Sequence, residues 1–155
     1  MIKNIDYPIA DLLPHAPPMV LLDRVEAYQD DFIHTSLTIK ESSAFFETDG
    51  VPAYIALEYM AQTVAAWNGL MSRQQGENPR VGFLLGARRL TLDVPVFKLG
   101  EQLHVYAQAN YMDGEMAAFD CWIEINGVRV VQAGLNVFQP AGSADGPSAM
   151  RASGI

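Results

Sequence analysis

The stretch from Val51 to Met71, VPAYIALEYMAQTVAAWNGLM, limits what this chain can become. It reads as one long helix. Pro52 suits a first helical turn, where its missing N–H costs nothing. Gly76 is a fitting C-terminal stop, and Arg73 in the last turn complements the helix dipole. Between these limits the apolar residues do not form a stripe. Ile55, Leu57, Tyr59, Met60, Val64, Trp67, Leu70 and Met71 run nearly all the way round. A helix apolar on every side is buried. Polar interruptions and a shortage of strong hydrophobes argue against a membrane span. The rest of the chain must therefore wrap this helix.

Glu58 is the unusual residue within it. It sits among apolar neighbours, with no Lys or Arg one turn away in either direction, and Gln62 lies on the same face one turn on. Burial of such a carboxylate is expensive, so its pKa is expected to rise unless it finds donors. A raised carboxylate suits general acid or base chemistry near neutral pH. The alternative is a structural role: a bond to a distant donor, or escape to solvent at a dimer edge.

Composition narrows the classes. Half of the 155 residues are hydrophobic and 18% are charged, which describes one compact domain with a real core. A net charge of -8 argues against nucleic-acid binding. It leaves room for a small basic patch, formed by the adjacent Arg88 and Arg89, facing an acidic carrier protein. The single cysteine, Cys121, excludes an intramolecular disulfide and reads as a small buried hydrophobe. His15, His34 and His104 are far apart with no ligand spacing, so no metal is expected, and no cofactor motif occurs. No apolar leader follows Met1, which makes the cytoplasm the expected location.

Along the chain, residues 1–18 are irregular and proline-rich, with a helical turn expected near Asp11-Leu12-Leu13. Met19–Gln29 reads as a strand. Phe32–Lys40 alternates as its hairpin partner, with Ile33, Leu37 and Ile39 inward and His34 toward solvent or a neighbouring strand. After the helix, Val81–Ala87 is a short strand that Leu90–Val94 continues past a bend. Pro95 and Gly100 bracket a loop. Three long strand patterns follow: Gln102–Met112, Glu115–Ile125 and Val128–Gln139. They are joined by turns at Asp113-Gly114 and Asn126-Gly127, the second a strong hairpin signal. The expected layout is α+β: one domain over 1–140, its helix wrapped by a curved antiparallel sheet of about five to six strands, and a disordered tail over 141–155. Exposed sheet edges predict a dimer or higher oligomer.

Three stretches resemble a known family. Leu12-Leu13-Pro14-His15-Ala16-Pro17-Pro18-Met19-Val20-Leu21-Leu22-Asp23-Arg24-Val25 is similar to the LPHRYPFLLVDRV segment of β-hydroxyacyl-acyl-carrier-protein dehydratases of the FabZ type. Glu58-Tyr59-Met60-Ala61-Gln62 matches that family's EAMAQ. Phe83-Leu84-Leu85-Gly86, then Val94-Pro95 and Gly100-Glu101-Gln102-Leu103, resemble its later pattern. The resemblance runs from about Asp11 to Phe138. It implies the hotdog fold and an active site at a dimer interface. There a histidine removes the α-proton of a 3-hydroxyacyl thioester and an acid on the partner's helix protonates the leaving hydroxyl. The dehydratase-like subfamily of aryl polyene pigment clusters, sometimes called ApeP, resembles the chain most.

Glu58 occupies the acid's position. The histidine does not carry over: where the family has GHFPG-x-P-x-x-PG, this chain has only Phe46-Glu47-Thr48-Asp49-Gly50-Val51-Pro52. His15 is the candidate replacement base. Tyr54, Gln62, Asp49 and Phe83 are the expected substrate-binding residues, Asp49 having an equally good reading as an N-cap or turn residue. The partners implied are an acyl-carrier-protein or coenzyme A thioester and a second hotdog subunit, identical or not. Two other readings stand beside the dehydratase: a thioesterase that uses Glu58 alone, and a non-catalytic subunit of another hotdog dehydratase.

Overall fold

The computed structural model describes residues 7–14, 18–76 and 82–140. The expected disordered tail at 141–155 and the candidate base His15 lie outside the described residues. The long helix α2, Ala56–Gln74, follows a short helix α1, Ile9–Leu12. Six strands form one antiparallel sheet: β1 Arg24–Gln29, β2 Phe32–Thr38, β4 Phe83–Leu92, β6 Gln102–Asp113, β7 Met116–Ile125 and β8 Val128–Phe138. Their order is β1-β2-β6-β7-β8-β4. Two short strands, β3 Gly50–Pro52 and β5 Val96–Lys98, pair separately. A long helix packed against one antiparallel sheet is the hotdog layout that the resemblance implies.

The all-round apolar character of α2 has the expected result. Thirteen of its nineteen residues are buried and Gln74 alone is exposed. One flank meets the inner sheet face, where Ile33, Leu103, Val105, Ile123 and Leu135 are each 0% exposed. Another flank is covered by the N-terminal segment. A Cβ at Gly69 would overlap the Leu12 carbonyl oxygen, so only glycine lets α1 settle this close. Gly76, at φ +73°, ends the helix as expected, its N–H donating to the Arg73 carbonyl at 3.0 Å.

The helix start differs from the sequence reading. Val51 and Pro52 belong to β3, and Ala53–Ile55 form a 3-10 turn before α2. Pro52 pairs with Val96, so the bracketed loop after Pro95 contains a strand. The first long strand also begins late, at Arg24, because Met19 and Leu21 are bonded to α2. Asn126 and Gly127 both have positive φ, 51° and 77°, which fits the type I′ hairpin turn that an Asn-Gly pair specifies. The sheet ends on β4, an edge strand of ten residues whose Leu85, Leu90 and Leu92 are exposed.

Candidate active site

The first turn of α2 carries the carboxylate. Glu58 is half-buried, not enclosed as its apolar neighbours in sequence suggest, because Tyr54, one turn back, is 65% exposed and leaves that side of the helix open. It is also not left to itself: the Gln62 side-chain amide donates to Glu58 Oε1 at 3.3 Å. The i, i+4 spacing brings the two groups onto one face.

Gln62 is the better-determined residue of the pair. It is 0% exposed. Its Nε2 also donates to the Met19 carbonyl at 2.7 Å, and its Oε1 accepts the Leu21 N–H at 2.9 Å. A buried amide must find such partners or pay a desolvation cost of about 1–3 kcal/mol for each orphaned group. Both amide protons are therefore committed within the chain. Gln62 acts as a tie between the 19–21 segment and Glu58.

Around this pair the other expected residues disperse. Tyr54 lies in the 3-10 turn just ahead of α2, exposed and available to a partner. Asp49 is an exposed turn residue whose carbonyl accepts the Leu99 N–H at 3.1 Å. It is not an N-cap, since Ile55 holds that position and no side chain caps α2. Phe83 is buried at the head of β4, opposite Phe138. The adjoining Gly82 lines a small apolar cavity of about 40 Å³ against Val64–Asn68, beyond the first turn of α2. The structure does not bring Phe83 together with Glu58.

Tyr59 was not singled out by sequence. It is 2% exposed, stacks obliquely on Phe97 at 5.9 Å, and lines a cleft of about 190 Å³ with Leu21, Asp23, Lys40 and Ser43. Burial, with Asp23 adding, pushes its hydroxyl up to about 12, so it stays protonated and can only donate or accept as a neutral group. Tyr59 follows Glu58 directly, so the signal was its neighbour.

His34 and His104 sit on the opposite, outer face of the sheet. Their rings are bonded to each other, Nε2 to Nδ1, at 2.8 Å. His34 thus points at a neighbouring strand, as expected. Burial and the nearby His104 lower the His34 pKa, against opposing pulls from Glu26 and Glu124. Neither ring is on the helix side. Cys121 is buried, which pushes its thiol up, in keeping with an inert core residue. Among the described residues no group of three or more His, Cys, Asp or Glu side chains could hold a metal ion. None of their helices is long and apolar enough to cross a membrane.

The family model described as ApeP-like, ApeP dehydratase, matches residues 7–148. The chain belongs to the ApeP-like dehydratase family. Its sequence is 29% identical over 128 residues to the 3-hydroxyacyl-[acyl-carrier-protein] dehydratase FabZ of Brucella abortus, covering 79% of this chain and 80% of that one. Its structure is similar to a chain of the dehydratase heterocomplex ApeI:P from Xenorhabdus doucetiae, at 30% identity and a TM-score of 0.82, covering 88% and 93%. A hypothetical thioesterase from Streptococcus pneumoniae, solved with coenzyme A, shares the fold at 13% identity and a TM-score of 0.61, covering 76% and 84%. As a member of the ApeP-like family, the chain is a dehydratase-like hotdog protein.

Proposed function

We propose that this chain dehydrates 3-hydroxyacyl groups held as thioesters on an acyl-carrier protein, with Glu58 as the acid. A base removes the α-proton. Glu58 hands its proton to the departing hydroxyl, and water and the 2,3-unsaturated thioester result. The observation that carries this reading is the Gln62 tie. It fixes the carboxylate and, in the same set of bonds, the Met19–Leu21 segment. His15 is four residues upstream of Met19, within about 14 Å of chain reach, and is our choice of base. The start of α2, uncapped by any side chain, supports a further role: its dipole favours the charge that develops on the thioester oxygen. Tyr54 and Asp49, exposed just ahead of α2, are placed in this reading along the path of the carrier arm, and Phe83 along the acyl chain of a subunit pair. The work is assigned to the cytoplasm.

A second reading concerns the base alone. The likeness to a chain of a dehydratase heterocomplex, and the lack of any histidine in Phe46–Pro52, favour a hetero-oligomer in which another hotdog subunit supplies the histidine.

The test is reversible hydration of a carrier-bound 2-enoyl chain by wild type, Glu58→Gln and His15→Ala, with thioester hydrolysis followed in the same samples. Loss of activity by about 10²–10⁴-fold in both variants establishes the first reading. An inactive chain that becomes active with a second hotdog protein, and then needs Glu58 but not His15, establishes the second. Hydrolysis that depends on Glu58 overturns both.

A further inference from the structure

A cleft of about 390 Å³ opens on the outer sheet face, across β7, β8 and β4, and Arg89 and Arg129 line it. Five features in and beside this cleft are hard to explain as ordinary surface. Arg88 pairs with Gly134 and Arg89 sits in the bulge that follows, where pairing with β8 shifts between Arg88 and Thr91. Arg89 holds φ +52°, a left-handed conformation that a non-glycine residue adopts at a cost. Arg88 lies flat against Gly134, where a Cβ would come within 2.9 Å of its guanidinium, so the strand has a glycine where the arginine needs room. The Arg88 Nε is buried and has no hydrogen-bond partner among the described residues. Finally, Arg129 is stacked on the Trp122 ring at 4.5 Å, which leaves its N–H edge for other partners apart from a 3.4 Å bond to Gln132.

Charge sharpens the point. The chain carries -8 overall with ten Lys and Arg, yet Arg89 and Arg129 both line this cleft and Arg88 lies on Gly134, which lines it too. Asp120 also lines the cleft, and Glu124, opposite Arg129 in the sheet, accepts the Trp122 indole N–H at 3.1 Å. Among the described residues no ion pair ties either carboxylate to an arginine. Guanidinium groups lining one cleft favour an anion there, and their planar forks match phosphate oxygens.

We propose that the cleft lined by Arg89 and Arg129, beside Arg88, binds a phosphate group. Two sources share this chemistry: free phosphate, and the phosphate of a pantetheine arm. The experiment is calorimetric titration of the full chain at fixed ionic strength with inorganic phosphate, 4′-phosphopantetheine and coenzyme A, with unphosphorylated pantetheine as control. Arg89→Gln and Arg129→Gln, both at exposed positions, are titrated beside wild type. The expected result is binding of the phosphorylated probes but not of pantetheine, weakened about tenfold or more by each substitution. Binding of 4′-phosphopantetheine tighter than that of phosphate identifies the arm as the source; equal binding identifies the bare anion. No binding of any phosphorylated probe at millimolar concentration overturns the proposal, as does binding that survives both substitutions in folded protein.

Discussion

The two faces of the sheet handle polar groups in opposite ways. On the inner face, under α2, the fully buried polar side chains are few, and Gln62, Thr35 and Thr63 all find partners. Gln62 makes three bonds, and the Thr35 and Thr63 hydroxyls bond each other at 2.8 Å while Thr63 also donates to the Tyr59 carbonyl at 2.8 Å. On the outer face polar groups are many and only partly satisfied. His34, Tyr106 and Trp122 stack across β2, β6 and β7 at 4.3 and 5.1 Å, with Arg129 closing the row. Water accounts for the contrast. Where it is excluded each unmade bond costs its full desolvation; where it reaches, stacking and half-made bonds suffice.

The strongest way to break this comparison is Gln62→Leu. It strips partners from the Met19 carbonyl and the Leu21 N–H at once, so unfolding in urea is expected to show a loss of about 2–4 kcal/mol. A loss below about 1 kcal/mol would mean that water reaches the site. Gly69→Ala comes next. Alanine is the better helix former by about 1 kcal/mol, but its methyl overlaps the Leu12 carbonyl, and a net loss of about 1–3 kcal/mol is expected from overpacking. Thermal unfolding gives the sign directly. Thr35→Val and Thr63→Val should each cost about 1–2 kcal/mol, and the double variant less than their sum, because the orphaned partner leaves with the first. Additive losses would show that the two hydroxyls do not depend on each other.

The smallest effect belongs to the outer face. The His34 pKa lies below its ordinary value of 6.5 in the folded chain. Between the two values the unfolded chain holds more protons, so this contribution to stability is complete above about pH 6.5 and is lost as pH falls through that window. Denaturation midpoints followed from pH 7.5 to 5 should decline for wild type and decline less for His34→Asn. Equal slopes would remove His34 from the account.

Much of this was legible in sequence, for identifiable reasons. The burial of α2 follows from apolar residues on every side, and the β7–β8 turn from the demand of Asn126-Gly127 for positive φ. The strands β3 and β5 escaped because three residues carry no periodicity. Pro52 is ambiguous in sequence, because its fixed φ suits a first helical turn and an extended strand end alike. The position of Glu58 is legible in sequence but its partial exposure is not, since one helix does not show which neighbours are absent. The role of Gln62 depends on residues 41 and 43 positions away, beyond any local pattern. Arg88 and Arg89 were visible as charges, but the glycine beneath Arg88 belongs to a strand more than forty residues later.

The order of the sheet also has a consequence for how the chain is made. Strand β4 is synthesised before β6, β7 and β8, yet among the described residues its partner is β8, the last of them. The three later strands are joined by tight hairpin turns and can form as they emerge. Strand β4 must wait some seconds at ordinary rates of translation. For that interval its leucines have no native partner on the hydrogen-bonded side. Its two adjacent arginines, whatever they bind in the finished protein, place charge in the segment most exposed to wrong pairing on the way there.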